Sequence, residues 1–175
     1  MDKICFFSYN NTMAKKDNEI KTNAMRILDK ANIPYKTNYY ECDEFIDAIH
    51  IADKLGQSYD MSFKTLVTVA KSGEYYVFVI PIDKELDLKA AAKSVGEKSV
   101  EMLHVRDITK VTGYIRGGCT PIGMKKQYKT VIDETVILFD EIIISGGMIG
   151  AQLFIAPDDL IRVTNAQTAA IAIDM

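Results

Sequence analysis

The chain has 175 residues, 48% of them hydrophobic, which suits one domain with a sizeable core. Lys and Arg total 21 against 24 for Asp and Glu, a net charge of -3, so bulk charge does not hold a nucleic acid, although a local basic patch remains open. No apolar run is long enough to span a membrane, and three distant cysteines (Cys5, Cys42, Cys119) with two histidines (His50, His104) suggest neither a disulfide framework nor a metal site. No cofactor is implied, and reduced thiols fit a cytoplasmic protein.

Residues 1–20 read as an N-terminal extension. Met13-Ala14-Lys15-Lys16 looks like a second start, so 1–12 is expected to be frayed or a start-site artefact; a short strand on Ile4-Cys5-Phe6-Phe7 is the competing reading. Ile20, Ala24, Ile27, Leu28 and Ala31 recur at helical spacing and predict a helix over 18–31, stopped before Pro34. Residues 35–41 have strand composition. Phe45, Ala48, Ile49, Ala52 and Leu55 form a second helical stripe, closed by Gly56. Residues 63–70 and 75–80 are two β runs joined by Lys71-Ser72-Gly73, a hairpin signal.

The span 86–95 reads as a helix ending at Gly96, and 100–103 as a short strand. Residues 107–111 read as a helical turn capped by Asp107. Strands are expected near 114–116, 129–132, 141–145 and 152–155. Pro157 opens another helix with acidic residues behind it. Residues 164–173 form a last strand or an irregular packed tail. Strands and helices do not alternate strictly. The reading is therefore a single α+β domain over 21–175, with a curved, partly barrel-like mixed sheet of about seven strands flanked by helices.

Three segments stand out chemically. Gly113 to Gly123 holds five glycines and prolines in eleven residues, so its backbone can take positive φ and approach a ligand closely. The N–H groups of Gly117, Gly118 and Cys119 are expected to face one concavity, a nest for a carbonyl oxygen, carboxylate or phosphate. A tight connection between strands is the plainer reading. Lys64 lies in an otherwise uncharged strand: it either reaches solvent past an edge or points into a cleft as a fixed donor. Lys125-Lys126-Gln127-Tyr128-Lys129 follows the glycine loop and suits a phosphate backbone, with the tyrosine available for stacking; a solvated loop is the alternative. Cys119 has no nearby His or acid to activate it and reads as a small loop filler. Neither histidine is given a role.

Phe63-Lys64-Thr65-Leu66, Gly113-Tyr114 with Gly117-Gly118-Cys119-Thr120-Pro121-Ile122-Gly123, and Ser145-Gly146-Gly147 together resemble the YbaK/EbsC family. Its members are aminoacyl-tRNA deacylases related to the editing domain of bacterial prolyl-tRNA synthetase. The likeness runs in order over about residues 21–173 and includes Ala156-Pro157-Asp158-Asp159-Leu160 near the end.

The resemblance implies a trans-editing hydrolase for Cys-tRNA(Pro), working beside prolyl-tRNA synthetase. Lys64 and Gly117 would be the catalytic positions. Tyr40, Phe63, Gly118, Thr120, Pro121, Ser145, Gly146, Gly147 and Gln152 would form the substrate pocket, and Lys125, Lys126 and Lys129 would contact tRNA. It also implies that the substrate's own thiol attacks its ester carbonyl, which needs no enzyme nucleophile. Ala-tRNA(Pro) deacylation and a non-catalytic aminoacyl- or partner-binding module are the alternatives. One departure stands out: the family often has Leu-Asp after the glycine, where this chain has Ala151-Gln152.

Overall fold

The computed structural model describes residues 20–42 and 46–175. The expectations for residues 1–19 and the apolar contact expected of Phe45 lie outside the described residues. Helix α1 (Asn23–Lys30) begins where the Thr22 hydroxyl accepts from the Met25 N–H at 3.3 Å, so the 18–31 stripe is shorter than its periodicity suggested. Helix α2 (Ala48–Leu55) starts on the Asp47 carboxylate and stops at Gly56 with φ 64. Helix α3 (Leu88–Val95) is capped by Asp87 and ends at Gly96 with φ 80. Helices α4 (Val105–Thr112) and α5 (Pro157–Thr164) complete the α-helices among the described residues, and a 3-10 turn spans Glu134–Leu138.

Ten strands occur among the described residues, where about seven were expected. Sheet A orders β1 (Lys36–Tyr39), β8 (Ala151–Ile155) and β7 (Ile142–Ser145), all antiparallel. Sheet B orders β5 (Val100–Met102), β2 (Phe63–Ala70), β3 (Tyr75–Pro81), β6 (Lys129–Asp133) and β9 (Gln167–Ala169). It is mixed: β2 pairs antiparallel with β3 and β5, while β6 runs parallel to β3 and β9. A small ribbon joins β4 (Lys84–Leu86) to β10 (Ala172–Asp174).

The sheets meet at the start of β2. Ile143 N–H donates to the Met61 carbonyl at 2.8 Å, and Ile82 N–H donates to the Ser62 carbonyl at 2.9 Å. The Ser62–Ile143 bridge links the two sheets at this seam, and the sheets do not close into a barrel.

Strand β3 explains the two-layered core. Val77, Phe78, Val79 and Ile80 are all buried, because both faces of the strand are covered. Val79 packs with Met25, Leu28, Ile132 and Leu153 under α1. Phe78 and Ile80 pack with Ala91, Ala92 and Val131 under α3. Asp133 fastens the C-terminal segment to this core: one carboxylate oxygen accepts from the N–H groups of Ile171 and Ala172 at 3.1 and 3.0 Å.

Several sequence expectations are corrected. Residues 114–116 form no strand: Gly113 takes φ 85 and ends α4, so the glycine loop joins a helix to β6. Asp107 lies inside the first turn of α4; His104 holds the N-cap position without a side-chain bond. The 164–173 tail divides into the end of α5, β9 and part of β10. Leu86, expected to begin a helix, instead ends β4, and α3 starts two residues later.

Candidate active site

A cavity of about 310 Å³ opens at the seam between the sheets. Lys64 reaches it from β2, Tyr40 from the end of β1, Gln152 from β8 and Ser145 from the end of β7. Phe63 adds an apolar wall, Ala48 and Ile51 of α2 cover one side, and Arg116, Gly117 and Cys119 come from the glycine loop. Residues distant in sequence converge because the segment leading into β2, at Met61 and Ser62, is bridged to β7 of the other sheet.

The Lys64 ammonium donates to the Ile82 carbonyl at 3.0 Å, which fixes one of its three protons. Burial lowers its pKa from the ordinary 10.5, while the carboxylates of Glu85, Asp83 and Asp47 act in the opposite direction. It is therefore a half-buried cation at the cavity wall and does not extend freely into solvent. Burial also raises the Tyr40 phenol, partly offset by a backbone hydrogen bond from Gly150.

The glycine loop is held from within. The Tyr114 hydroxyl donates to the Ile122 carbonyl at 2.6 Å, bracing its two arms. The Thr112 hydroxyl accepts from Tyr114 N–H at 3.0 Å and donates to the Ile108 carbonyl at 2.8 Å, anchoring the loop to α4. Gly117 has φ 85, a conformation L side chains rarely adopt. The expected nest is smaller than the sequence suggested. Gly118 N–H is taken by the Ile115 carbonyl at 3.0 Å. Gly117 and Cys119 lie at the cavity, so their N–H groups are the candidate donors.

Other glycine-rich positions serve packing. A Cβ on Gly118 would lie 3.0 Å from Met148 Cα, and one on Gly146 would lie 3.0 Å from the Ala151 Cβ. The Gly146 carbonyl accepts from the Thr22 hydroxyl at 2.6 Å, so the Ser145-Gly146-Gly147 turn ties sheet A to the start of α1. Gly147 donates its N–H to the Ser145 hydroxyl at 3.3 Å. Thr120 is fully buried, and its hydroxyl has no partner among the described residues. Gly118, Thr120, Gly146 and Gly147 thus support the cavity without lining it.

Pro121 and Lys126 line a second cavity, of about 230 Å³, on another side of the loop. The Lys125 ammonium donates to the Lys110 carbonyl at 3.2 Å, and its stem lies over Gly113. Lys129 is exposed at the start of β6.

Beside the expected Gln152, sequence reasoning missed the wall residues Gln57, Thr65, Asp47 and Arg116. Gln57 and Gln152 bond each other reciprocally, at 2.8 and 2.9 Å, and Asn38 adds a bond to the Gln152 oxygen at 3.1 Å. Where a carboxylate was the family expectation, this wall is a neutral amide pair. Thr65 lines the cavity with a shielded hydroxyl that has no partner among the described residues. Asp47 sits at the rim, held below the usual carboxylate range by hydrogen bonds from His50. Arg116 also lines the cavity; its place directly before Gly117 was the available signal.

Burial pushes the Cys119 thiol up to about 11, so it is protonated near neutrality and unsuited to nucleophilic attack. The arrangement offers a cation, backbone donors and an apolar wall. It can bind an ester and steady negative charge on its oxygen.

The chain is similar to known proteins over most of its length. The family described as aminoacyl-tRNA editing domain matches residues 46–163. EbsC of Enterococcus faecalis, assigned by name as a Cys-tRNA(Pro)/Cys-tRNA(Cys) deacylase, is 46% identical over 160 residues, spanning 91% of this chain and 98% of that protein. Among solved structures, protein APE2540 superposes with a TM-score of 0.78 at 23% identity, covering 85% of this chain and 97% of the other. A structure described as a trans-editing enzyme for prolyl tRNA synthetase gives a TM-score of 0.73 at 23% identity, covering 87% and 98%. The two structures share the α+β fold.

Proposed function

This chain belongs to the aminoacyl-tRNA editing domain family, and on that footing we propose that it removes cysteine from mischarged tRNA(Pro). The observation that carries the reading is the convergence of Lys64 and Gly117 on one cavity whose cysteine, Cys119, is held protonated. The name carried by the 46%-identical relative supports the same substrate class.

In this reading the aminoacyl ester enters with its carbonyl oxygen toward the N–H groups of Gly117 and Cys119. Lys64 adds positive charge beside that oxygen. The substrate's thiol attacks its own carbonyl carbon: a C–S bond forms, the ester C–O bond to the ribose breaks, and the thiol proton ends on the ribose hydroxyl. The resulting thiolactone takes up water and gives free cysteine. Selectivity then rests on the thiol itself, since a pocket judging size alone gains only about 1–3 kcal/mol per methylene.

The lysines at 125, 126 and 129 would meet the tRNA backbone. The net charge of -3 predicts weak tRNA affinity for the protein alone. Association with prolyl-tRNA synthetase would supply effective concentration, in the cytoplasm where tRNA is charged.

The deciding assay follows ester loss from tRNA(Pro) charged with Cys, Ala or Pro, and from Cys-tRNA(Cys). Loss of cysteine esters alone supports the proposal. Loss of alanine makes the protein an Ala-tRNA(Pro) deacylase, and loss of none makes it a binding module.

A further inference from the structure

The second cavity shares the glycine loop with the first. Gly117 and Cys119 line the first; Pro121, Ile122 and Met124 line the second. Only Thr120 separates Cys119 from Pro121 in sequence, so the two walls lie within about 7 Å along the backbone. One extended nucleotide step covers that reach.

The second cavity has the chemistry of a base site. Ile27, Pro121 and Val163 give it apolar surfaces, and Tyr128 adds an aromatic ring. The ring is fixed: its hydroxyl donates to the Val111 carbonyl at 2.8 Å, and it meets Tyr75 edge-on at 6.0 Å. Gln127 brings an amide able to donate and accept, and Lys126 is the charged side chain among the lining residues. Flat apolar surfaces with one amide and one cation suit a nucleobase and its phosphate.

We infer that this cavity holds the base of the penultimate nucleotide of the tRNA acceptor strand, while the terminal aminoacyl-adenosine occupies the first. The inference rests on the proposed deacylase reading for the identity of the strand. The glycine loop becomes a partition, with the aminoacyl ester on one side and the preceding base on the other. Lys126 neutralises the phosphate at this step, and Gln127 contacts the base edge.

The test measures binding of an uncharged acceptor-stem minihelix with the natural 3′ end. A second minihelix carries an abasic penultimate nucleotide. The wild-type protein should bind the abasic RNA about 5- to 160-fold more weakly, the range expected of one stacked base. Val163→Phe fills the cavity and should bind both RNAs equally weakly. Gln127→Ala, at an exposed position, should reduce the difference if Val163→Phe fails to fold, as thermal unfolding would reveal. Equal binding of the two RNAs by wild type overturns the inference. So does full discrimination in both variants. If Val163→Phe loses only its association with prolyl-tRNA synthetase, the cavity takes a protein side chain and the inference is wrong. Base-dependent binding without hydrolysis of any charged tRNA would refute the deacylase reading and leave this site standing.

Discussion

Gln57 and Gln152 close on each other through two amide hydrogen bonds, 95 residues apart in the chain. The pair joins the residue after the α2 cap to β8 and forms a neutral wall of the first cavity. Gln57→Leu strands the Gln152 amide nitrogen without its acceptor, which should cost about 1–3 kcal/mol of stability. Replacing both glutamines by leucine should cost less than the sum of the single changes, because the two amides no longer strand each other and only Asn38 loses its acceptor. Urea unfolding of the two single variants and the double variant measures this; strict additivity would show that the pair does not couple.

Lys64→Ala should lower kcat/KM for Cys-tRNA(Pro) by about 100-fold or more, the scale seen when one stabilising donor is removed from such a site. The fold should survive, since the side chain makes one hydrogen bond, to the Ile82 carbonyl at the cavity wall. Unchanged turnover by a folded Lys64→Ala protein would remove Lys64 from the mechanism.

The same lysine gives a pH prediction. Burial disfavours its charged form in the folded state, so its folded pKa lies below 10.5. Between the folded value and 10.5 the unfolded chain holds more of this proton, so Lys64's contribution to stability rises with pH across that window. Wild type should therefore gain stability relative to Lys64→Met on moving from neutral to alkaline pH in denaturant titrations. Enzyme-dependent deacylation should fall over the same window as the ammonium is lost.

Gly117→Ala should impair activity more than Cys119→Ser. Gly117 sits at φ 85, where a Cβ costs about 1–2 kcal/mol or forces the loop to shift. Cys119→Ser alters a protonated thiol that no step uses. At neutral pH, iodoacetamide should modify Cys119 slowly, because its pKa is about 11. Rapid alkylation that abolishes turnover would restore Cys119 as a nucleophile.

Changing Lys125, Lys126 and Lys129 to Gln should weaken tRNA binding most at low salt. The slope of log affinity against log salt should fall by about 0.7 for each single-strand phosphate left without its lysine. Lys125 should contribute least, since its ammonium already donates to the Lys110 carbonyl. Filter binding across a salt series reads these slopes. An unchanged slope would assign the lysines to solvent alone.

The parts of the fold legible in sequence are those set by local pattern. The β2–β3 hairpin follows alternating and apolar runs around Lys71-Ser72-Gly73, and α3 follows its stripe to Gly96. Residues 114–116 misled because Tyr114 and Ile115 have strand composition, yet Gly113 caps α4 and Tyr114 is drawn across the loop to Ile122. The short strands β4, β9 and β10 carry little periodic signal; pairing and the Asp133 carboxylate hold them.

The candidate site was legible where one residue contradicts its surroundings. Lys64 in an uncharged strand is such a residue. Gln57, Asp47 and Thr65 look ordinary, because their position depends on the meeting of sheets distant in sequence. The glycines misled in the opposite direction. Gly118 and Gly146 are small to let backbone segments pack closely, a need that composition does not distinguish from ligand approach.

The seam at Met61 and Ser62 also sets an order of construction. The β2–β3 hairpin carries Lys64 and can form from neighbouring residues as the chain is synthesised. Its cavity cannot exist until β7 and β8 have been made and Ile143 has bonded to Met61. A growing chain therefore holds its key lysine about 80 residues of synthesis before it has a chamber around it, since β7 and β8 lie at residues 142–155.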